Sequence, residues 1–127
     1  FELTLSYRIT DGNSGIQYRS QDLGKFLVTG YQADMGAGNN HGGILYDGFL
    51  YEQGGRGIVT KRGERTTLNN DGVKKHGSPI GTSENLQSVI KSGDWNQYRI
   101  VARGNHLQHF INGTLMSKTA DNETNYL

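Results

Sequence analysis

Polar side chains early in the chain follow a pattern that suits a ligand rich in hydroxyl groups. Arg8, Arg19, Gln32 and Asp34 each occupy the polar position of a segment that alternates polar and apolar residues. In a strand with one buried face, such positions project away from the core. Each Arg–Asp combination can equally form an ion pair on the sheet surface, and that alternative stays open for every pair.

A second polar group surrounds the glycine-rich segment 36–43. His41 lies inside this segment, and Tyr46, Asp47 and Glu52 follow it closely. A histidine beside carboxylates can act as a base or bind a metal, because its ordinary pKa lies close to neutral pH. The alternative is an exposed loop histidine with no partner. The segment itself predicts an exposed loop, since its glycines cannot pack.

The aromatic residues divide into two groups. Trp95, the only tryptophan, can stack on a flat ligand, but we predict that it fills the core where a strand begins. Tyr31 falls on the apolar side of its segment and is also predicted to be buried. Tyr46 and Tyr51 are the better candidates for stacking on a ligand.

Metal binding finds only weak support in the sequence. Asp34, Asn39, Asn40 and Asp47 supply oxygen atoms on either side of one loop, and calcium accepts ligands of this kind. Their spacing matches no standard calcium loop. The four histidines show no pair at a spacing typical of zinc sites. We therefore assign no metal ligand and no cofactor, and leave a divalent cation, calcium first, as an open alternative.

The elements that position these residues are almost all strands. Alternation with period two and Asn-Gly or Asp-Gly turns mark most of them. The predicted strands are 3–9, 16–19, 26–35, 44–46, 57–61, 97–103, 107–111 and 114–118, and the predicted helix is 83–91. The last three strands follow one another through short turns and predict an antiparallel meander. Short strands at this spacing indicate an all-β sandwich or jelly roll with one short helix.

Composition narrows the possible functions. The chain of 127 residues fits one domain, and its net charge of +1 gives no reason to expect nucleic acid as a partner. The basic stretch 61–65 is interrupted by Glu64 and predicts a solvated loop or strand edge. Cysteine is absent, which argues against a disulfide-stapled domain. No apolar run is long enough to span a membrane, so we expect no membrane insertion.

An ordered series of short motifs resembles the 3-keto-disaccharide hydrolase family. The motifs are Tyr7-Arg8; Asn13-Ser14-Gly15-Ile16 with Arg19; Gly30-Tyr31-Gln32-Ala33-Asp34; Gly43-Ile44-Leu45-Tyr46-Asp47; Gly93-Asp94-Trp95-Asn96 with Tyr98-Arg99-Ile100; and His109-Phe110-Ile111-Asn112-Gly113. The resemblance implies a fold similar to concanavalin A-like lectins and glucanases. It covers residues 1–127 as a single domain. The family pattern has a further strand before Phe1 and another after Leu127, so it implies that this chain lacks the first and last strands.

The resemblance implies an enzyme that cleaves glycosides oxidised to a ketone at sugar carbon 3. Such a site needs a general base, a group that stabilises an enolate, and an acid for the leaving group. We predict the catalytic residues Asp34, His41, His109 and Arg19, and the substrate-binding residues Arg8, Gln32, Tyr46, Asp47 and Glu52. His109 is predicted to face the core from its parity with Leu107 and Ile111. It stays a candidate because a histidine before the Asn-Gly turn recurs in the family pattern.

Two other functions fit the same fold. The domain can be a carbohydrate-binding module without catalysis, or an adhesion domain whose sheet face binds a protein, since a fold does not fix a function. A perturbed carboxylate or histidine in a cleft favours the enzyme, and a flat apolar patch favours adhesion. The absence of cysteine fits a bacterial protein, and we expect it to be periplasmic or secreted, with a signal that is not present in this chain.

Overall fold

The chain folds into two β-sheets packed face to face. The computed structural model describes residues 1–36 and 46–123. The elements are β1 (Glu2–Tyr7), β2 (Asn13–Gly24), β3 (Leu27–Gly36), β4 (Leu50–Gln53), β5 (Gly57–Thr60), β6 (Arg65–Leu68), β7 (Lys74–His76), α1 (Ser83–Gln87), β8 (Asn96–Arg103), β9 (His106–Ile111) and β10 (Thr114–Asp121). This arrangement confirms the predicted all-β sandwich with one short helix.

The larger sheet has the strand order β1-β8-β9-β10-β6-β7, and the smaller one the order β2-β3-β4-β5. The pair β10–β6 is parallel, and the other strand pairs are antiparallel. The predicted meander is confirmed as β8, β9 and β10. Its second turn has φ of 50° at Asn112 and 80° at Gly113, the left-handed pair that a two-residue hairpin requires.

The core lies between the two sheets and is built from tyrosines as well as aliphatic residues. Tyr31 and His109 are 3% and 1% exposed, so both predictions of burial are confirmed. The prediction that Trp95 fills the core is wrong, because this side chain is 57% exposed. It lies just before β8, outside the sandwich, and the Arg8 guanidinium packs 5.5 Å from its ring centroid.

Some elements differ from the sequence prediction. The short strands β4, β6 and β7 are not in the predicted set. The helix α1 is shorter than predicted, and Thr82 caps it by accepting a hydrogen bond from the Asn85 backbone nitrogen. The predicted loop at 36–43 and strand at 44–46 lie almost wholly outside the described residues.

The stretch 61–65 is not simply a solvated edge. Arg62 is 6% exposed, and its guanidinium donates to the Asp47 carbonyl over 2.8 Å. It also packs 5.8 Å from the ring centroid of Phe49. A local charge pattern did not reveal this burial because Arg62 finds its partners in a distant segment.

No helix within residues 1–36 and 46–123 has the length and apolar character that crossing a bilayer demands.

Candidate functional site

A cleft lies on the outer face of the smaller sheet. Its volume is about 350 Å³, within the range of small-molecule sites. The residues that line it are Asn13, Gln32, Asp34, Tyr46, Tyr51, Gln53 and Ile58. Most of these side chains carry amide, hydroxyl or carboxyl groups, which suits a ligand with many hydroxyl groups.

Strand register brings the polar side chains of this cleft together. In β3, Tyr31 and Ala33 face the core, so Gln32 and Asp34 project from the opposite face, as the alternation predicted. Gln32 is paired with Gln17 of β2 on one side and with Tyr51 of β4 on the other. The Gln17 side-chain amide donates to the Gln32 side-chain oxygen over 3.1 Å.

Asp34 is the buried carboxylic acid of the cleft. The residue is 3% exposed, and its Oδ1 accepts a 2.7 Å hydrogen bond from the Gln32 amide nitrogen. Burial raises the pKa of Asp34 to about 6, since removal from water disfavours the charged form. The Gln32 hydrogen bond opposes this rise in pKa, and the nearby Asp47 carboxylate adds to it. Asp34 therefore changes its protonation state close to neutral pH.

Three hydrogen bonds fix the backbone of Asp34. Its nitrogen donates to the Phe49 carbonyl over 3.0 Å, and its carbonyl accepts from the Gly48 nitrogen over 3.0 Å. The buried Tyr98 hydroxyl donates to the same carbonyl over 3.1 Å from the opposite sheet. Asp34 is thus tied to both sheets, which fixes the position from which its carboxyl group reaches the cleft.

A glycine leaves room for the side chain that contacts Asp34. Gly15 is paired with Asp34 across the strands, and Gln32 lies over it. A Cβ atom at position 15 would come within 2.5 Å of the Gln32 Cγ. The lack of a side chain at Gly15 therefore lets Gln32 reach the Asp34 carboxyl group.

Asp47 and Glu52, two carboxylates predicted to bind substrate, lie outside the cleft of Asp34. Asp47 is fully buried, accepts from the Tyr7 hydroxyl over 2.7 Å, and lines a separate cavity of about 170 Å³. Burial raises the pKa of Asp47. Glu52 is 2% exposed and forms an ion pair with Arg56, which also pairs with buried Asp121. Neither carboxylate lines the cleft of Asp34.

The two arginines predicted to accompany Asp34 lie elsewhere. Arg8 covers the ring of Trp95 at the end of β1. Arg19 donates to the Gly104 carbonyl over 2.5 Å and lines a different cleft, of about 520 Å³. The structure does not bring either guanidinium to the cleft of Asp34. Tyr46 and Gln32 do line that cleft, as their predicted roles require.

Of the two candidate histidines, His41 lies outside the described residues. His109 is inside the sandwich, where its Nε2 is 2.8 Å from the Tyr18 hydroxyl. Burial lowers the pKa of His109 to about 4, against the opposite influence of the backbone of Gly48 and Phe49. His109 is therefore neutral at pH 7, and it does not line the cleft of Asp34.

Three residues of the cleft were absent from the predicted site. Asn13 begins β2 and lines the cleft. Gln53 and Ile58 sit on the short strands β4 and β5. The alternation in β4 covers too few residues to predict which face each side chain occupies. Among the residues of β4 and β5 that line the cleft, Tyr51, a candidate for stacking, was the one that the sequence associated with ligand binding.

The described residues include no cluster of side chains that could bind a metal ion. Within residues 1–36 and 46–123, no three His, Asp or Glu side chains are grouped as a metal site requires. Asn39 and Asn40, two of the oxygen donors considered for calcium, lie outside that part. Asp34 and Asp47 open onto different cavities.

The fold and the cleft together define a β-sandwich domain with a buried carboxyl group in a polar, sugar-sized cleft. A family model described as the 3-keto-alpha-glucoside-1,2-lyase-like domain matches residues 1–126. The chain belongs to that family, which confirms the resemblance drawn from the ordered motifs. The family description points to a carbohydrate lyase- or hydrolase-like domain. No curated protein matches the chain.

Proposed function

We propose that this domain cleaves 3-keto-α-glucosides in the cleft on the smaller sheet, with Asp34 as the general base. The observation that carries the proposal is a buried carboxyl group whose pKa is about 6 in a cleft lined by neutral hydrogen-bonding side chains. A base with a pKa just below the working pH is mostly ionised and still accepts a proton readily. The description of the matching family supports the choice of substrate class.

The chemistry follows from the ketone at carbon 3. The ketone makes the hydrogen on carbon 2 acidic. Asp34 removes that proton, and the electrons of the C2–H bond move into the carbonyl to form an enolate. Electrons then return from the enolate oxygen, the C1–O bond breaks, and the departing alkoxide receives the proton from Asp34. Addition of water to the resulting C1–C2 double bond completes a net hydrolysis.

In this mechanism, neutral hydrogen-bond donors stabilise the negative charge of the enolate. Asn13 and Gln53 carry amides, and Tyr46 and Tyr51 carry hydroxyl groups on the same cleft. Donors held in place before the reaction stabilise developing negative charge without reorganisation. The side chain of Gln32 keeps the Asp34 carboxyl oriented through its 2.7 Å hydrogen bond.

One observation favours a second candidate function, a carbohydrate-binding module. Among the described residues that line the cleft there is no Lys, Arg or His side chain to stabilise an enolate by charge. A module of this kind would bind the sugar in the same cleft and release nothing from it.

Incubation of the folded protein with phenyl 3-keto-α-glucoside separates the two functions. We expect release of phenol by the wild-type chain and none in a matched reaction with phenyl α-glucoside, whose C2 hydrogen is not acidic. Saturable binding of the keto sugar without phenol release by folded protein would establish the module instead.

A further inference from the structure

The cleft is lined by polar side chains on β2 and β3, and Ile58 on β5 gives it an apolar edge. Strand pairing sets Gln17, Gln32, Tyr51 and Ile58 in one row across four strands, because Gln32 is paired with both Gln17 and Tyr51, and Tyr51 with Ile58. Asp34 lies two residues from Gln32 on the same strand and face. The carboxyl group therefore belongs to the polar side, and Ile58 marks the opposite side.

Ile58 is an apolar side chain left partly in water. It is 36% exposed on β5, while the next residue, Val59, is 1% exposed in the core. The half-buried ring of Tyr51 lies between Ile58 and Gln32. The Ile58 side chain and the face of the Tyr51 ring form an apolar wall, which is stabilised by contact with hydrocarbon.

We infer that the cleft is built for 3-keto-glucosides with an apolar alcohol as the leaving group, and that Ile58 and Tyr51 determine this specificity. The inference rests on the proposed function. A pyranose carries oxygen atoms around its whole ring, so it matches the polar side beside Asp34, Gln32 and Asn13. Carbon 1 is bonded to carbon 2, whose hydrogen must reach Asp34. Its substituent is then the part of the substrate left to cover the apolar wall.

A matched pair of substrates tests the inference. Cyclohexylmethyl 3-keto-α-glucoside and glyceryl 3-keto-α-glucoside both release primary alkoxides, and the glyceryl alkoxide is the better leaving group. A preference for the cyclohexylmethyl substrate therefore reports binding and not leaving-group chemistry. We expect its kcat/KM to be about tenfold higher with the wild-type chain, as for small apolar groups in other pockets.

Ile58→Thr keeps a β-branched side chain on the strand and introduces a hydroxyl group into the wall. We expect it to bring the ratio of the two kcat/KM values close to one, whatever happens to each value. Val73→Thr is the control, because Val73 is also an exposed apolar residue, at 51%, but does not line the cleft. This variant should keep the wild-type ratio.

Each outcome has a separate meaning. Turnover of both substrates by the wild type with no cyclohexylmethyl preference would overturn the inference and leave the proposed function standing. An unchanged ratio in Ile58→Thr would overturn the inference in the same way. Failure of the folded wild type to cleave either substrate would overturn the proposed function, and the inference with it.

Discussion

The amide nitrogen of Gln32 lies 2.7 Å from Oδ1 of Asp34, and both side chains project from the same face of β3. This hydrogen bond favours the charged carboxylate, while burial favours the neutral acid. The balance between them leaves the pKa of Asp34 at about 6. That balance, and the groups that hold the two side chains in place, determine how the protein should respond to substitution and to pH.

Asp34→Asn should stabilise the fold at neutral pH. The pKa of Asp34 is raised to about 6 in the folded state, so the fold favours the protonated carboxyl group. The stability that this group contributes is fully present below pH 4 and is lost as pH rises through 6. The loss amounts to at most about 3 kcal/mol at pH 7. Denaturant unfolding should show Asp34→Asn more stable than wild type at pH 7. The gain should largely vanish at pH 4, and an equal gain at both pH values would contradict the raised pKa.

Gln32→Ala should move the pH dependence of turnover. Wild-type kcat/KM should rise with pH and reach half its maximum near pH 6, where Asp34 loses its proton. Without the Gln32 hydrogen bond the pKa of Asp34 rises further, so the acid limb of the profile should move to higher pH.

Gln17→Ala is the control for this measurement, because Gln17 contacts Gln32 but is not among the groups that shift the pKa of Asp34. Its profile should move less than that of Gln32→Ala. Equal profiles for Gln32→Ala and wild type would show that the hydrogen bond does not set the pKa of Asp34.

Gly15→Ala should reproduce the effect of Gln32→Ala from a neighbouring strand. The added methyl group meets the Gln32 side chain and forces it away from Asp34. Circular dichroism should show a folded protein, since the Gln32 side chain is flexible, while the acid limb of the pH profile moves upward. Gly77→Ala places a methyl group where the nearest atom is 3.5 Å away, in ordinary contact, and should leave the profile unchanged.

Tyr98→Phe should reduce turnover more than its loss of stability explains. The change removes a buried hydroxyl that donates to the Asp34 carbonyl and should cost about 1 kcal/mol of unfolding free energy. Tyr18→Phe removes an equally buried hydroxyl that contacts His109. Both variants should lose similar stability, but only Tyr98→Phe should lower kcat. A matching fall in kcat for both would assign Tyr98 to the fold alone.

The sequence predicted the face of β3 that carries Gln32 and Asp34, because these two residues alternate with apolar Tyr31, Ala33 and Met35. Arg19 was misplaced for a local reason. The pairing of β2 with β3 shifts between Tyr18 and Gln21, and Arg19 has a φ of 47°, so alternation does not continue through it. Its guanidinium therefore reaches Gly104 and not Asp34.

Asp47 and Glu52 were beyond prediction for a different reason. Tyr7, the partner of Asp47, is 40 residues away along the chain. Arg56 follows Glu52 closely, but its guanidinium also pairs with buried Asp121 of β10, which only the tertiary fold brings near. The same holds for Trp95, whose exposure depends on where β8 begins relative to the sandwich. Patterns within one strand predict which way a side chain points. They do not predict which of several buried carboxylates will face a cleft.

The most direct test of Asp34 as the base is the rate of phenol release from phenyl 3-keto-α-glucoside carrying either hydrogen or deuterium at carbon 2, with wild type and with Asp34→Asn. We predict release by the wild type that is severalfold slower with deuterium, and no release by a folded Asp34→Asn that still binds the sugar. Release by Asp34→Asn at the wild-type rate would contradict the assignment of Asp34 as the base.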